Sequence, residues 1–179
     1  GFDLLQQLFP RAATSHPVAI VDLDDESLTA VGQWPWPRTV LADLVRKLDA
    51  AGVAAIGFDV LFAEPDRMSP ARIAESLPVL DETTRTTLSK LPSNETVMAA
   101  ALRDGRVVLG QAAQSHAIQN APARPAKKTP LAKIGGDPQP YLLNFPSLIR
   151  SVPELEAAAK GRGMLTIVPE RDGVVRRIP

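Results

Sequence analysis

The chain contains no cysteine. Disulfide frameworks, cysteine-based zinc sites and thiol nucleophiles are therefore excluded. Histidine is nearly as scarce. The two present are His16 and His116, each in a polar stretch flanked by Pro or Ala. A His-rich metal site or a Ser-His-Asp triad has little material here, and Ser115-His116 reads as a solvated loop. Neither sign of charge dominates: 20 Lys+Arg balance 20 Asp+Glu. No global field attracts nucleic acid or an anionic membrane surface. No apolar run reaches the roughly 18–20 residues of a membrane span, and neither an initiator Met nor a signal peptide is visible. Aromatic residues are only 4% of the chain, so Trp34 and Trp36 in one short cluster stand out.

What is present is the material of one α/β domain. At 179 residues with 45% hydrophobic content, the chain can bury a real core. "FDLLQQLF" has helical spacing and stops at Pro10. "PVAIVDLD" is β-branched, continuously apolar and ends in acids, the pattern of a buried strand. "ESLTAVG" predicts a short helix. "RTVLADLVRKLDAAG" predicts the best helix of the chain, with Val40, Leu41, Leu44, Val45 and Leu48 in one stripe and Gly52 as its stop. "VAAIGFDVLF" predicts a second buried strand carrying Asp59. Strand, helix and strand with short joints form a βαβ unit with parallel strands.

Beyond Ala63, "ARIAESL" and "DETTRTTLSKL" predict short surface helices. "NETVMAAALRDG" predicts a firmer one, with Asn94 as N-cap, and "RVVLGQAA" a third strand. Residues 113–140 form a long Pro-rich connection. "SVPELEAAAKGRG" predicts a helix that opens with a capping box, Ser151 to Glu154, and closes at Gly161. "GMLTIVPERDGVVRRIP" predicts a hairpin about Asp172-Gly173. The expected fold is a mixed sheet with a parallel βαβ core, flanking helices and a C-terminal antiparallel hairpin, all in a single domain.

Parallel strands deliver their C-terminal ends to one rim, where open α/β sheets bind ligands. The rim expected to bind a ligand comprises Asp22, Asp24, Asp25, Trp34, Trp36, Arg38 and Asp59. Arg38 is the natural partner for Asp22 or Asp59. Asp22, Asp24 and Asp59 are also candidate ligands for a divalent cation; no other cofactor is expected. The structural reading of the same residues has Asp24 or Asp25 capping a helix, and Trp-Pro-Trp-Pro-Arg forming a stiff packed corner. A third reading starts from Asp22-Leu23-Asp24, which resembles the D-x-D opening of haloacid-dehalogenase-type phosphotransferases and would make Asp22 a Mg-dependent nucleophile. Glu26 stands where that family has Thr or Val, and its later Lys and acidic pair are not recognizable.

"VAIVDLDDESLTAVGQWPWPR", "LADLVRKLDAAGVAAIGFDVLFAEPD", "NETVMAAALRDGRVVLG" and "GRGMLTIVPERDGVVRRIP" together resemble the CHASE-type extracellular sensory domain, type 2. The resemblance runs in the expected order over most of the chain, leaving 67–93 and 113–145 unplaced. It implies a non-catalytic input domain on the periplasmic or extracellular face of a bacterial membrane receptor. It also implies a membrane segment before residue 1 and several after residue 179, and an output such as a nucleotide cyclase, histidine kinase or Ser/Thr kinase. The signal would be a small molecule or an envelope protein, and the receptor a homodimer; no nucleic-acid partner is expected. The competing expectation is a dimerization or protein-interaction module that binds no ligand.

Overall fold

The computed structural model describes residues 2–10, 18–117 and 134–175. Its internal contacts gather into two units, Gly1–Pro35 and Trp36–Pro179.

The first unit holds α1 (Phe2–Leu8) and α2 (Asp25–Val31). Pro10 lacks the N–H that would continue α1, and the last backbone bond of the helix is Phe9 N–H to the Leu5 carbonyl (2.8 Å). Leu4, Leu5 and Leu8 remain exposed on it. α2 begins at Asp24, whose Oδ1 accepts from the Ser27 N–H (2.9 Å) and the Ser27 hydroxyl (2.7 Å). This is the capping role expected of that acid.

Between the two helices, the expected first strand does not form. Residues 18–24 belong to no helix or ladder, and Val18, Ile20 and Val21 are exposed. A β-branched apolar run records what a segment would gain by burial. Whether a strand results depends on an edge to pair with, which is a tertiary property.

In the second unit, α3 (Arg38–Ala50) is followed by β1 (Ile56–Gly57), α4 (Pro70–Ser76), α5 (Glu82–Lys90), α6 (Asn94–Asp104) and β2 (Val107–Gln114). β3 (Ser147–Ile149), α7 (Pro153–Ala158) and β4 (Gly161–Met164) complete it. β2 is the hub of a four-stranded sheet. It pairs parallel with β1 (Ile56 opposite Val107) and with β4 (Val108 opposite Gly161), and antiparallel with β3 (Ala112 opposite Ile149). The Arg106 and Val108 carbonyls accept from Ile56 and Phe58, while those of Val107 and Gln111 accept from Lys160 and Leu165. The alternation puts β1 and β4 on opposite edges of β2.

The fold class is thus mixed α/β with a parallel core, but the crossover differs from the expected one. The stretch linking β1 to its parallel neighbor β2 runs through α4, α5 and α6, and α3 packs against α6. The second expected strand, residues 53–62, shrinks to Ile56–Gly57.

Leu41, Ala42 and Val45 of α3 form the core with Met98, Ala99, Ala101 and Leu102 of α6, Val107 and Leu109 of β2, and Leu155 of α7. Gly52 (φ +80°) sits just beyond α3, a left-handed position that favors glycine. Gly110 answers a different need. A Cβ there would lie 2.5 Å from Leu165 Cδ1 and 3.0 Å from the Val60 carbonyl oxygen, so the close approach of these chains requires its bare backbone.

Two expected caps are displaced. α6 is capped by Ser93, which accepts from the Thr96 N–H (3.1 Å), and Asn94 is its first helical residue. α7 starts after Val152 with Pro153 in its first turn and makes no side-chain cap. Ser151 is buried, and Glu154 instead accepts from the Thr96 hydroxyl (2.9 Å). Gly161 opens β4 rather than closing the helix.

The Asp172-Gly173 turn forms, with Gly173 N–H donating to the Glu170 carbonyl (2.9 Å) and Glu170 N–H to the Val174 carbonyl (3.0 Å). The first arm of the expected hairpin contains β4, a parallel strand, and the end of its second arm lies outside the described residues. Most of the Pro-rich connection, including Lys127-Lys128, also falls outside them, as do His16, Arg176 and Arg177. His116 is exposed, and its carbonyl accepts from the Ser147 hydroxyl (2.7 Å).

Candidate functional site

Pro37 is the N-cap of α3, and it offers the first turn of that helix no side-chain acceptor. The acceptor comes from 28 residues away: Asp66 Oδ2 takes the Arg38 N–H at 2.7 Å. A carboxylate at this place also complements the positive end of the helix dipole. The same oxygen accepts from Asn94 Nδ2 at 2.8 Å, and Oδ1 accepts from the Met68 N–H at 2.8 Å.

Asp66 is held in turn by Glu95, whose Oε1 accepts the Asp66 N–H. Glu95 Oε2 accepts from the Ser69 hydroxyl (3.0 Å), and the Ser69 oxygen accepts the Asn94 N–H (3.0 Å). Ser69 is the N-cap residue of α4 but makes no side-chain cap there. Its hydroxyl serves the first turn of α6 instead. Arg38, Asp66, Ser69, Asn94 and Glu95 are all buried. Buried polar groups persist where hydrogen bonds satisfy them, and these bonds fasten the starts of α3 and α6 to the 64–69 turn.

The Arg38 side chain lies over the Phe62 ring, its guanidinium carbon 4.5 Å from the centroid, close enough for a cation–π contact. Phe58 meets Phe62 edge to face, with centroids 5.5 Å apart. Arg38 Nη2 donates to the Glu64 carbonyl (3.2 Å), while its buried Nε has no hydrogen-bond partner among the described residues. Burial pulls the Arg38 pKa below its ordinary value, against the opposing charges of Asp66 and Glu95. The group stays cationic, because a guanidinium does not lose its proton at physiological pH.

A second charged cluster joins the strand-helix-strand end of this unit. Glu156 Oε1 accepts from Arg150 Nε (2.9 Å), Arg150 Nη2 (2.5 Å) and Arg162 Nη1 (2.6 Å). Burial raises the Glu156 pKa, but the hydrogen bonds and charges of the two arginines outweigh it and hold the carboxyl below its ordinary range.

Of the seven residues expected at a ligand rim, Asp22, Asp24, Asp25 and Trp34 lie in the first unit and Trp36, Arg38 and Asp59 in the second. Asp22 and Asp25 are exposed. Asp24 is occupied as a helix cap, and the Ser27 N–H and hydroxyl bonds hold its carboxyl below the usual range. Trp36 is 7% exposed and Trp34 half-buried. Asp59 is exposed. The expected pairing of Arg38 with Asp22 or Asp59 is corrected: its cap, its stacking face and its carbonyl acceptor come from Asp66, Phe62 and Glu64. Among the described residues, no group of three or more His, Asp or Glu side chains is placed to hold a metal ion.

Sequence reasoning missed Asp66, Ser69 and Glu95. The available signal was "EPDRMS": an Asp after Pro with Ser three residues on marks a hydrogen-bonded turn, and it follows the strand that was recognized.

A profile of the CHASE2 domain family matches residues 1–179, the whole chain. The chain belongs to the CHASE2 family. CHASE2 domains are extracellular sensory domains of membrane receptors, and their role is sensory rather than catalytic. Searches of curated proteins and of solved structures found no match. Among the described residues of this CHASE2 domain, no helix is long and apolar enough to cross a membrane.

Proposed function

We propose that this CHASE2 domain is the extracytoplasmic input module of a bacterial transmembrane receptor. It passes the binding of a small molecule or an envelope protein to a cytoplasmic output such as a nucleotide cyclase or a kinase. The observation that carries this reading is the family match over residues 1–179. The buried hydrogen bonds of Asp66, Ser69 and Glu95, a lock between the starts of α3 and α6, add a physical route. A signal must bind two arrangements of the domain with different free energies, or it shifts nothing. The 64–69 turn is suited to be the part that differs, because one carboxylate in it serves the first turn of α3 while its serine serves α6.

The test is a thermal scan of the domain against a panel of small metabolites and divalent ions, read by the fluorescence of Trp34 and Trp36. A ligand that raises the melting temperature and changes the emission supports small-molecule sensing. If nothing on the panel moves either signal while an envelope extract does, the input is a protein. The exposed Leu4, Leu5 and Leu8 of α1 favor that second reading.

A further inference from the structure

The balance of charge over the whole chain hides a local excess. Between Asp104 and Glu154 the sequence holds six basic residues, Arg106, Arg124, Lys127, Lys128, Lys133 and Arg150, and one acid, Asp137. A block of one sign within a neutral chain favors a partner of the other sign. Arg106 and Arg150 already have acceptors, the Ala54 carbonyl and Glu156. The four from Arg124 to Lys133 belong to the sequence just before residue 134, outside the described residues.

The loop that follows presents apolar side chains to water. Pro138 and Pro140 stiffen a single 3-10 turn, Gln139–Tyr141, in which the Tyr141 N–H donates to the Pro138 carbonyl (2.9 Å). Asp137 turns its Oδ1 back on the Gln139 N–H (3.3 Å). Further on, the Ser147 hydroxyl donates to the His116 carbonyl (2.7 Å), and β3 joins the ladder of β2. Between these two fixed points Tyr141 is 89% exposed, and Leu142 and Leu143 are each 59% exposed. Three consecutive large apolar side chains in water mark an interaction surface.

From these two features we infer that residues 139–143 dock this CHASE2 domain on an anionic phospholipid bilayer. Leu142 and Leu143 enter the acyl boundary, and Tyr141 lies at headgroup level. An apolar tip next to a basic stretch is the combination that holds a protein on an anionic bilayer, where either contact alone is weak. Tyrosine joins an apolar ring to a polar hydroxyl and suits that boundary. CHASE2 domains belong to membrane receptors, so a bilayer surface is within their reach. A protein groove would take the leucines without calling for the basic stretch. Docked in this way, the loop fixes how β3, and with it the sheet, faces the membrane.

The 179-residue chain is sedimented with vesicles of phosphatidylglycerol and phosphatidylcholine in equal parts, and with vesicles of phosphatidylcholine alone. The expected result is binding to the mixed vesicles that falls as salt rises, with little binding to the neutral ones. The double variant Leu142→Ser/Leu143→Ser should bind about tenfold more weakly or worse, at an unchanged melting temperature, since neither side chain is in the core. Val79→Ser, at an apolar residue 88% exposed between α4 and α5, should bind as the parent does. The absence of native cysteine allows a second readout. An environment-sensitive dye attached through Tyr141→Cys should shift to the blue on mixed vesicles, and one attached through Val79→Cys should not. The inference is overturned if the parent chain stays in the supernatant with mixed vesicles at low salt, or if it binds neutral vesicles equally well. It is also overturned if the double serine variant binds like the parent, or if the dye at position 141 reports water throughout. The thermal panel above is run without lipid, so its outcome is separate from this one.

Discussion

Replacing Asp66 by Ala removes more than one bond. It takes the acceptor from the Arg38 N–H, from Asn94 Nδ2 and from the Met68 N–H, and it takes a counter-charge from a buried guanidinium. Removing one partner from a buried charged pair typically costs about 3–5 kcal/mol, because the remaining groups stay buried and unmatched. In a chain of this size, 1 kcal/mol moves the melting temperature by about 2–4 °C, so Asp66→Ala should lower it by about 6–20 °C. Asp66→Asn keeps one carbonyl acceptor in the same volume and should cost about half as much, on the scale of about 1.5–3 kcal/mol for a lost bond to a charged group. Urea titration followed by tryptophan fluorescence reads both variants, since Trp36 is buried in the same unit. Asp59→Ala, at an exposed site, is the control and should stay within about 0.5 kcal/mol of the parent. An Asp66→Ala midpoint close to that of the control would refute the lock as a stabilizing element.

Glu156→Gln should lose about 2–3 kcal/mol at neutral pH by weakening a charged acceptor shared by two arginines. The folded Glu156 pKa lies below the unfolded value of about 4.3, so its contribution is present above that pH and is lost as the pH falls through the folded value. The stability gap between parent and variant should therefore close on acidification, as calorimetry across that range would read. Gly110→Ala should cost about 1–3 kcal/mol through the forced displacement of Leu165 and the Val60 carbonyl, an overpacking penalty measurable by chemical unfolding. Phe62→Ala should cost about 3–5 kcal/mol. Phe62→Leu should recover part of the volume but none of the face under Arg38, so a midpoint equal to the parent's would count against the cation–π contact.

Local signals were legible where local chemistry decides them. The helix from Arg38 to Ala50 was visible in its apolar stripe and in Gly52, and Asp24 was visible as a cap because capping involves neighbors three residues apart. The strand from Val107 was visible in its β-branched content. Pairing was not legible. The 17–24 stretch and the 53–62 stretch carry the same apolar signature, yet among their described residues only Ile56–Gly57 enters a ladder. Arg38 was recognized as a charge needing a partner, but its partners lie 24 to 28 residues on, beyond anything spacing can report. The sequence also presented too many acids. Asp22, Asp24, Asp25 and Asp59 clustered in writing, whereas the buried pair, Asp66 and Glu95, sat 29 residues apart with no common motif.

The remote capping by the 64–69 turn has a kinetic consequence. Helix ends ordinarily fray one at a time, each with its own opening free energy. Here the first backbone amides of α3 and α6 donate to Asp66 and Ser69, members of one short turn, and the Asp66 amide is itself held by α6. None of the three protons can reach solvent unless that turn lets go. The amides of Arg38, Asp66 and Asn94 should then exchange as one cooperative unit, at a rate set by a single opening event. Whatever displaces that turn would free both helices in the same step.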